Sequence, residues 1–451
     1  MISRPRSKPL PAHLVSRSLL LIAIIALPSA ASAQIGQLSH FLEVDVPSVE
    51  ITGDLLIDGA PTPASAGEAA LFSLAEFPSG EVFAIGAANA QAFGPLRVIP
   101  GSYVPTYEFF FSSGALPENT QGQIGPAIPI DGSAPVDLDV PTALVTFDLT
   151  LNGAPFPVAP GEVADILVRR REGGAVFAIG TSDQSPLVVR LIEGSYDVIY
   201  AWREGSLLPR NEHAVVAEAV TVSRDGLLSI DVPAFSHRIS PLHNGAPFPL
   251  SAAERGRIEL HDFSTGDRID MGDTSAPMPA RMLIPGTYDA TYTRLAGGGI
   301  TPANALGVVA EDLSIQPPAS PGQLSITIVD VISYAVTRDV TLDGAPFPLS
   351  QVETGRIVLV GEHGDEIDFG ATHEDAPTWQ VVPGRYDVYY RRQQGWTAAP
   401  GNTNARIASG YRIDGDEALS IDVQTVQLSF DFLVNGAPFP LSQLEQGRFT
   451  L

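Results

Sequence analysis

The chain has 451 residues, 44% of them hydrophobic and 17% charged, with 26 basic against 51 acidic side chains and a net charge of −25. That balance excludes binding to nucleic acid or to anionic membranes, both of which need basic patches. There is no cysteine, which excludes disulfides and cysteine-linked lipid anchors, and the only lysine, Lys8, lies in the first ten residues, so lysine-dependent Schiff bases and isopeptide cross-links are excluded from the rest.

The N-terminus reads as an export leader. Arg4, Arg6, Lys8 and Arg17 form a basic region, residues 19–27 an apolar run, and Ala31-Ser32-Ala33 a small-x-small cleavage site before Gln34. This is the layout of a secretory signal peptide over 1–33, and the apolar run is too short to span a bilayer. An uncleaved membrane anchor is the alternative. No twin-arginine pair is present, which predicts the general secretory route and an extracellular, cell-surface or periplasmic product. Without the leader, 22 basic residues face 51 acidic ones, a net −29.

One phrase then recurs. It reads DGAPTP at residues 58–63, NGAPFP at 152–157 and 244–249, DGAPFP at 343–348 and NGAPFP at 435–440. The spacing of 92 to 99 residues is that of a small domain able to bury its own core, not of a solenoid repeat. The expected organisation is a leader at 1–33, then units at 34–141, 142–233, 234–331 and 332–425, and an incomplete fifth at 426–451.

Each unit reads as short strands between turn signals, with no helical periodicity, which predicts an all-β fold: a tandem array of about four seven-stranded β-sandwiches plus a truncated fifth. In the second unit the strands are expected at 145–151, 165–170, 175–179, 187–192, 195–202, 219–223 and 227–232. The Glu193-Gly194 turn is expected to join the fourth and fifth as a hairpin, and the Arg224-Asp225-Gly226 turn the last pair. Gly59, Gly153, Gly245, Gly344 and Gly436 form the Asn-Gly or Asp-Gly turn of the phrase. Gly86, Gly180, Gly272 and Gly370 each close a later strand. Gly101, Gly194, Gly286 and Gly384 are expected to supply positive φ at a further turn, preset by Pro100, Pro285 and Pro383 in three of the four units.

A tyrosine pair follows that turn: Tyr103 and Tyr107, Tyr196 and Tyr200, Tyr288 and Tyr292, Tyr386 and Tyr390. Residues four apart in a strand share a face, and Pro105, Val198, Ala290 or Val388 between them makes that face the inner one. Two readings compete, a ring-stacking sugar site and core packing with hydroxyls reaching backbone groups. Asp197, Asp289 and Asp387 are expected on the opposite, solvent face.

The joints are constrained. Asp-Val stands thirteen residues before the turn residue of the phrase every time, at Asp45, Asp139, Asp231, Asp330 and Asp422. A flexible linker tolerates length changes. A fixed joint predicts domains held in a set orientation, as in a stiff rod. Phe156, Phe248, Phe347 and Phe439 of the phrase, with Thr62 in the first unit, are expected to plug the end of the sandwich or the seam; a ligand-binding loop is the alternative.

The combination of Pro285-Gly286-Thr287-Tyr288 and Pro383-Gly384-Arg385-Tyr386 with Asn244-Gly245 and Asp343-Gly344 resembles the carboxypeptidase-regulatory-like or transthyretin-like β-sandwich, and the related Cna-B and PEGA surface modules. The resemblance covers the four full units. It implies accessory, adhesive or stalk-forming domains without catalysis; the lysine cross-link of Cna-B modules cannot form here.

No nucleophile elbow, zinc-protease helix motif or phosphate loop is present. Glu362, His363, Asp365, Glu366, His373, Glu374 and Asp375 read as a metal cluster or as a solvated polar loop. Asp414, Asp416 and Glu417 could supply oxygens to calcium, although the twelve-residue calcium-loop pattern is absent. Arg169, Arg170 and Arg171 balance local acids or bind a polyanion. Trp202 continues the inward parity of the tyrosines, and Trp396, in a Gly-containing loop, is the best candidate for an exposed sugar platform. No other cofactor is expected. The sequence therefore predicts a non-catalytic exported or cell-surface repeat protein acting as a stalk, scaffold or adhesive array, with an extracellular protein or glycan as partner. A carbohydrate-binding array and the accessory region of a longer secreted enzyme are the alternatives. The fifth unit stops in its expected second strand, so the natural chain is expected to continue past Leu451; pairing of this stub with a neighbour by strand exchange is the alternative.

Overall fold

The computed structural model describes residues 45–438, apart from 66, 113, 174, 298, 321, 349, 375–377, 396, 430, 432 and 435–436. The described residues from Ser48 onward belong to one compact unit. Among the described residues it is built of strands, with two three-residue 3-10 turns at Ala88–Ala90 and Ser182–Gln184.

The second sandwich shows the pattern. Thr142–Leu151 pairs antiparallel with Leu187–Ile192 and parallel with Gly226–Val232. The second sheet runs Val176–Thr181, Val163–Arg170, Gly194–Glu204, Ala214–Val222, all antiparallel. The third sandwich repeats this with Phe235–His243 between Arg281–Leu283 and Ser325–Val331, against a sheet centred on Arg255–Asp262 and Gly286–Ala296. The fourth has Tyr334–Leu342 between Trp379–Val381 and Glu417–Val423, against Thr354–Gly361 and Gly384–Gln394. The first is less regular. Val49–Ile57 pairs parallel with the short strands Ala134–Pro135 and Leu138–Val140, and Gly101–Phe111 pairs with Gly122–Gln123 and Ile128–Ile130.

Alternation along the strands makes each core. Val145, Phe147 and Leu149 point from one sheet toward Ile166, Val168, Val198 and Tyr200 of the other, and all are buried. The phrase turns have φ of 53° and 74° at Asn152 and Gly153, and near these values at the Asp58, Asn244 and Asp343 turns. Two successive positive φ values define the type I′ turn that Asn-Gly and Asp-Gly favour. The turn folds Ala154–Pro155 back onto Thr150 and Leu151.

Three expectations are corrected. The Glu193-Gly194 turn is no hairpin: Leu187–Ile192 belongs to one sheet and Gly194–Glu204 to the other, so the turn carries the chain across the sandwich. The Arg224-Asp225-Gly226 turn does the same, and Gly226–Val232 lies parallel to the first strand. Asp225 there accepts the Leu144 N–H at 2.6 Å. Nor do Gly101, Gly286 and Gly384 take positive φ. Gly286 is demanded by closeness: a Cβ on it would sit 2.9 Å from the Tyr288 ring. Finally, Asp197 is not on a solvent face. It is 3% exposed, binds Arg169 at 2.9 Å and accepts the N–H of Ala219 at 3.1 Å. Ala219 has φ of 51° beside a register break, so the aspartate caps a β-bulge. Asp289 and Asp387 do likewise for the N–H groups of Asp312 and Gly410.

Candidate functional site

The side chains that recur with fixed geometry gather at the joints. Only one or two residues separate the last strand of one sandwich from the first of the next in the three joints, as Pro141 and Pro233-Ala234 show. The turn residue of each of the first four phrases reaches across this link. Asp58 accepts the N–H and hydroxyl of Thr142, both at 2.6 Å. Asn152 accepts the Ala234 N–H at 2.8 Å and donates to its carbonyl at 2.9 Å. Asn244 accepts the Ser333 N–H at 2.9 Å, and Asp343 that of Thr425 at 2.7 Å. The aspartates of the Asp-Val pairs complete the joint: Asp139, Asp231, Asp330 and Asp422 accept the N–H of Gly59, Gly153, Gly245 and Gly344 at 2.7 to 3.0 Å. In this pairing the last strand lies parallel to the first strand of its own sandwich, with Asp231 opposite Thr150.

A second contact lies deeper. Eleven or twelve residues after the second tyrosine, each unit carries Pro-x-Asn: Pro117 to Asn119, Pro209 to Asn211, Pro302 to Asn304 and Pro400 to Asn402. Asn119, Asn211 and Asn304 are fully buried in the following sandwich. Their carbonyls accept the N–H of Ile192, Ile284 and Val382 at 2.8 to 2.9 Å. Their amides donate to the hydroxyls of Tyr196, Tyr288 and Tyr386 at 2.9 Å. Each tyrosine donates in turn to its own backbone, at the carbonyls of Ile192, Ile284 and Val382. The residue before the asparagine adds a strand-like bond, from the N–H of Glu118, Arg210 and Ala303 to the carbonyls of Arg190, Met282 and Gln380. Ile192 belongs to the core of the first sandwich and Ile284 to that of the second, so apolar packing continues through the joint.

Burial sets the electrostatics. It raises the Tyr196 hydroxyl to about 12 and lifts Tyr288 and Tyr386 further, so all three stay protonated donors. Burial also raises Asp267 and Asp365, each of which accepts a hydrogen bond from the amide of the Asn in the preceding unit. The first joint lacks this carboxylate. There Arg170 crosses instead, donating to the Gln123 and Glu193 carbonyls.

The second tyrosines hold the loop that presents the asparagine. Tyr107, Tyr200 and Tyr390 donate to the carbonyls of Pro117, Pro209 and Pro400. A glutamate ten residues after the phrase's turn residue holds the same loop from the other side. Glu162 accepts the N–H groups of Ser206 and Leu207 at 2.8 and 2.9 Å, Glu254 the Thr301 hydroxyl at 2.8 Å, and Glu353 the Ala399 N–H at 3.0 Å. Phe156, Phe248 and Phe347 lie against these second tyrosines inside their own sandwich, with ring centroids 5.9 to 6.4 Å apart, so they plug cores and not seams. The Pro-x-Asn asparagines and the glutamates were missed from sequence, although both recur at near-constant offsets.

The remaining candidates do not converge. Among the described residues no three His, Asp or Glu side chains gather where a cation could be held. Asp416 accepts the Ala335 N–H at 2.8 Å, and Asp414 pairs with Arg412. Asp365 is occupied in a joint, and Glu366 binds Arg391 at 2.7 Å. His363 stacks on Phe263 with ring centroids 5.0 Å apart. Arg169 and Arg171 pair with Asp197. Trp202 is half-buried, with the Arg210 guanidinium 4.2 Å above its ring. Trp396, Gly436, Phe439 and Asp375 lie outside the described residues. No helix among the described residues is long and apolar enough to cross a membrane.

No family model matches the chain, and no curated protein does. Solved structures with similar strands include the TIE protein of Bacillus anthracis, at 11% identity and a TM-score of 0.19 over 85% of this chain and 76% of that one. A streptococcal ancillary pilin is 7% identical, with a TM-score of 0.20 over 63% of this chain and 99% of that one. Two B repeat units of the collagen-binding protein of Staphylococcus aureus are 8% identical, with a TM-score of 0.14 over 84% and 99%. Scores of this size carry no functional argument; the β-sandwich fold stands on the strand pairing itself.

Proposed function

We propose that this chain is an exported, non-catalytic array of β-sandwiches that serves outside the cytoplasm as a stiff stalk or scaffold, displaying surfaces for an extracellular protein or glycan. One observation carries the reading. Three successive joints repeat the same buried asparagine–tyrosine clamp, over a link too short to swing freely. A chain evolved only to tether separate binding domains has no need of three buried polar locks, each of which must be fully satisfied to be stable. The leader supports export, and the net −29 of the remainder supports solubility without binding to anionic surfaces. Among the described residues, Asp197 is engaged in a bulge, Asp365 in a joint and Asp416 in a backbone contact.

Distance measurement between spin labels tests this. The chain has no cysteine, so two engineered cysteines, at exposed Ser229 and Ser420, label it cleanly. A narrow distance distribution is expected, broadened in the triple variant Asn119→Ala, Asn211→Ala, Asn304→Ala. A broad distribution in the parent chain would remove the basis for the stalk.

A further inference from the structure

The third joint holds a buried hydroxyl within reach of both an imidazole and a carboxamide. The Ser333 Oγ lies 2.8 Å from His243 Nε2 and 3.1 Å from Gln380 Oε1. Ser333 is 5% exposed, and its N–H is fixed by the Asn244 side chain at 2.9 Å. His243 ends the strand Phe235–His243 of the third sandwich, and Gln380 stands in the strand Trp379–Val381 of the fourth. The first two joints lack this set. Where the third has Ser333, His243 and Gln380, the first has Thr142, Ile57 and Arg190, and the second Ala234, Leu151 and Met282. His243 is placed as a base. Its Nε2 also faces the Asn244 amide, a donor, at 3.5 Å, and its ring leans on Phe248 with centroids 5.5 Å apart. Burial lowers its pKa from 6.5, against the opposing charge of Asp330, so the ring is neutral at pH 7 and can accept a proton.

We propose that Ser333 and Gln380 join in an intrachain ester, with His243 as the base and ammonia as the leaving group. His243 Nε2 takes the hydroxyl proton as Ser333 Oγ attacks the Gln380 carboxamide carbon. The carbon–nitrogen bond then breaks, the imidazolium returns its proton to the departing nitrogen, and ammonia leaves. One hydroxyl and one primary amide give one ester and one ammonia, so no oxidant, metal or second substrate is needed. The carboxamide carbon is one bond from the oxygen already at 3.1 Å, and a small shift of the glutamine side chain brings it to the near-attack distance of about 3–3.5 Å. Burial of Ser333 keeps out the water that would hydrolyse the product. The step is a single self-modification without turnover, and it does not depend on the array being a stalk. Its consequence lies in the register. The first strand of the fourth sandwich meets Trp379–Val381 over three pairs, Tyr334 with Val381, Ala335 with Gln380 and Val336 with Trp379. An ester from Ser333 ties that short pairing at the end where the chain enters from the third sandwich.

Mass spectrometry of the full chain is the test. The parent chain should lack one ammonia that each variant below retains, and trypsin should release residues 295–338 and 357–385 as one linked species. Mild alkali should separate the two peptides and leave glutamate at position 380, the product of ester hydrolysis. Ser333→Ala, His243→Leu and Gln380→Met give the third joint the residues that the second joint already accommodates, so each should fold and yield the two peptides unlinked. A parent chain that yields both peptides free would overturn the proposal. So would an ammonia lost without the link, as in cyclisation of Gln34 or of an Asn-Gly pair. A link that forms equally in His243→Leu would overturn the assignment of the base.

Discussion

The side-chain amide of Asn211 lies 2.9 Å from the hydroxyl of Tyr288, although the two residues belong to different sandwiches. The same amide group donates to Asp267 at 2.6 Å, and its carbonyl accepts the Ile284 N–H at 2.9 Å. Tyr288 is left to donate to the Ile284 carbonyl at 2.9 Å. The position therefore needs two donors and one acceptor on a short side chain, which asparagine supplies and aspartate, serine and leucine do not.

Replacing Asn211 should weaken the joint in a way that depends on the replacement. Asn211→Ala strands the buried Ile284 N–H and removes a donor from both Asp267 and Tyr288, a loss of about 2–4 kcal/mol in urea unfolding. Asn211→Asp should be worse at pH 7, because it sets a second carboxylate against Asp267, whose proton affinity burial already raises. The aspartate variant should regain stability as the pH falls toward 4 and one of the two carboxyls takes up a proton. The alanine variant should show no such recovery.

These contacts mark where the sequence was legible. The phrase turn and the inward tyrosines follow from local rules, turn chemistry at Asn152-Gly153 and parity at Tyr196 and Tyr200, whereas the strand lengths do not: the strand expected at 219–223 runs Ala214–Val222. Which sheet a strand joins does not follow from local rules either. The Glu193-Gly194 link between strands looks like a hairpin because a crossover between sheets needs no more residues than a turn within one. Asp197 reads as a solvent residue by alternation, and only the β-bulge opposite it turns an N–H toward its carboxylate. Asn211 sits in a loop whose role is set by the next domain, so nothing in its own flanks reveals it.

His237 should make stability fall with acid. It stands seven residues before its turn residue, where the other units have Ile51, Val145 and Val336. It is fully buried beside Phe235, and neither ring nitrogen has a partner among the described residues. Burial lowers its pKa to about 4. The unfolded chain then binds a proton below its ordinary value of 6.5 that the folded chain refuses, so stability is full above that value and drains away between pH 6.5 and 4. His237→Val should remove this loss and stabilise the chain at pH 4.5 by roughly 2 kcal/mol relative to pH 8. Urea midpoints at the two pH values check it.

Tyr196 and Tyr103 occupy equivalent positions, and their phenylalanine variants should differ. Tyr196→Phe removes both a bond to its own carbonyl and the acceptor for Asn119, so about 1–3 kcal/mol is expected, with loss of amide protection at Ile192. Tyr103→Phe removes only the bond to Ile99 and should cost about 1 kcal/mol or less in dilute solution. Hydrogen exchange and urea unfolding, run side by side, separate the two. Equal costs would mean that the asparagine contact contributes nothing.

Glu353 should govern how firmly the Pro-x-Asn loop is presented. The Thr397 hydroxyl and the N–H groups of Ala399 and Ala398 donate to its carboxylate and lower its pKa to about 2. A depressed carboxyl contributes order that is complete above the ordinary value of 4.5 and is lost as the pH falls through the folded value. The Ala399 amide should therefore stay protected from exchange down to about pH 3 and lose protection below it. Glu353→Gln keeps the shape of the side chain but not the charge, and should expose that amide at every pH. The core amides of Ile357 and Leu359 should be unchanged, because they lie in the strand and not in the loop. An Ala399 amide equally protected in the variant would mean that Tyr390 alone holds the loop.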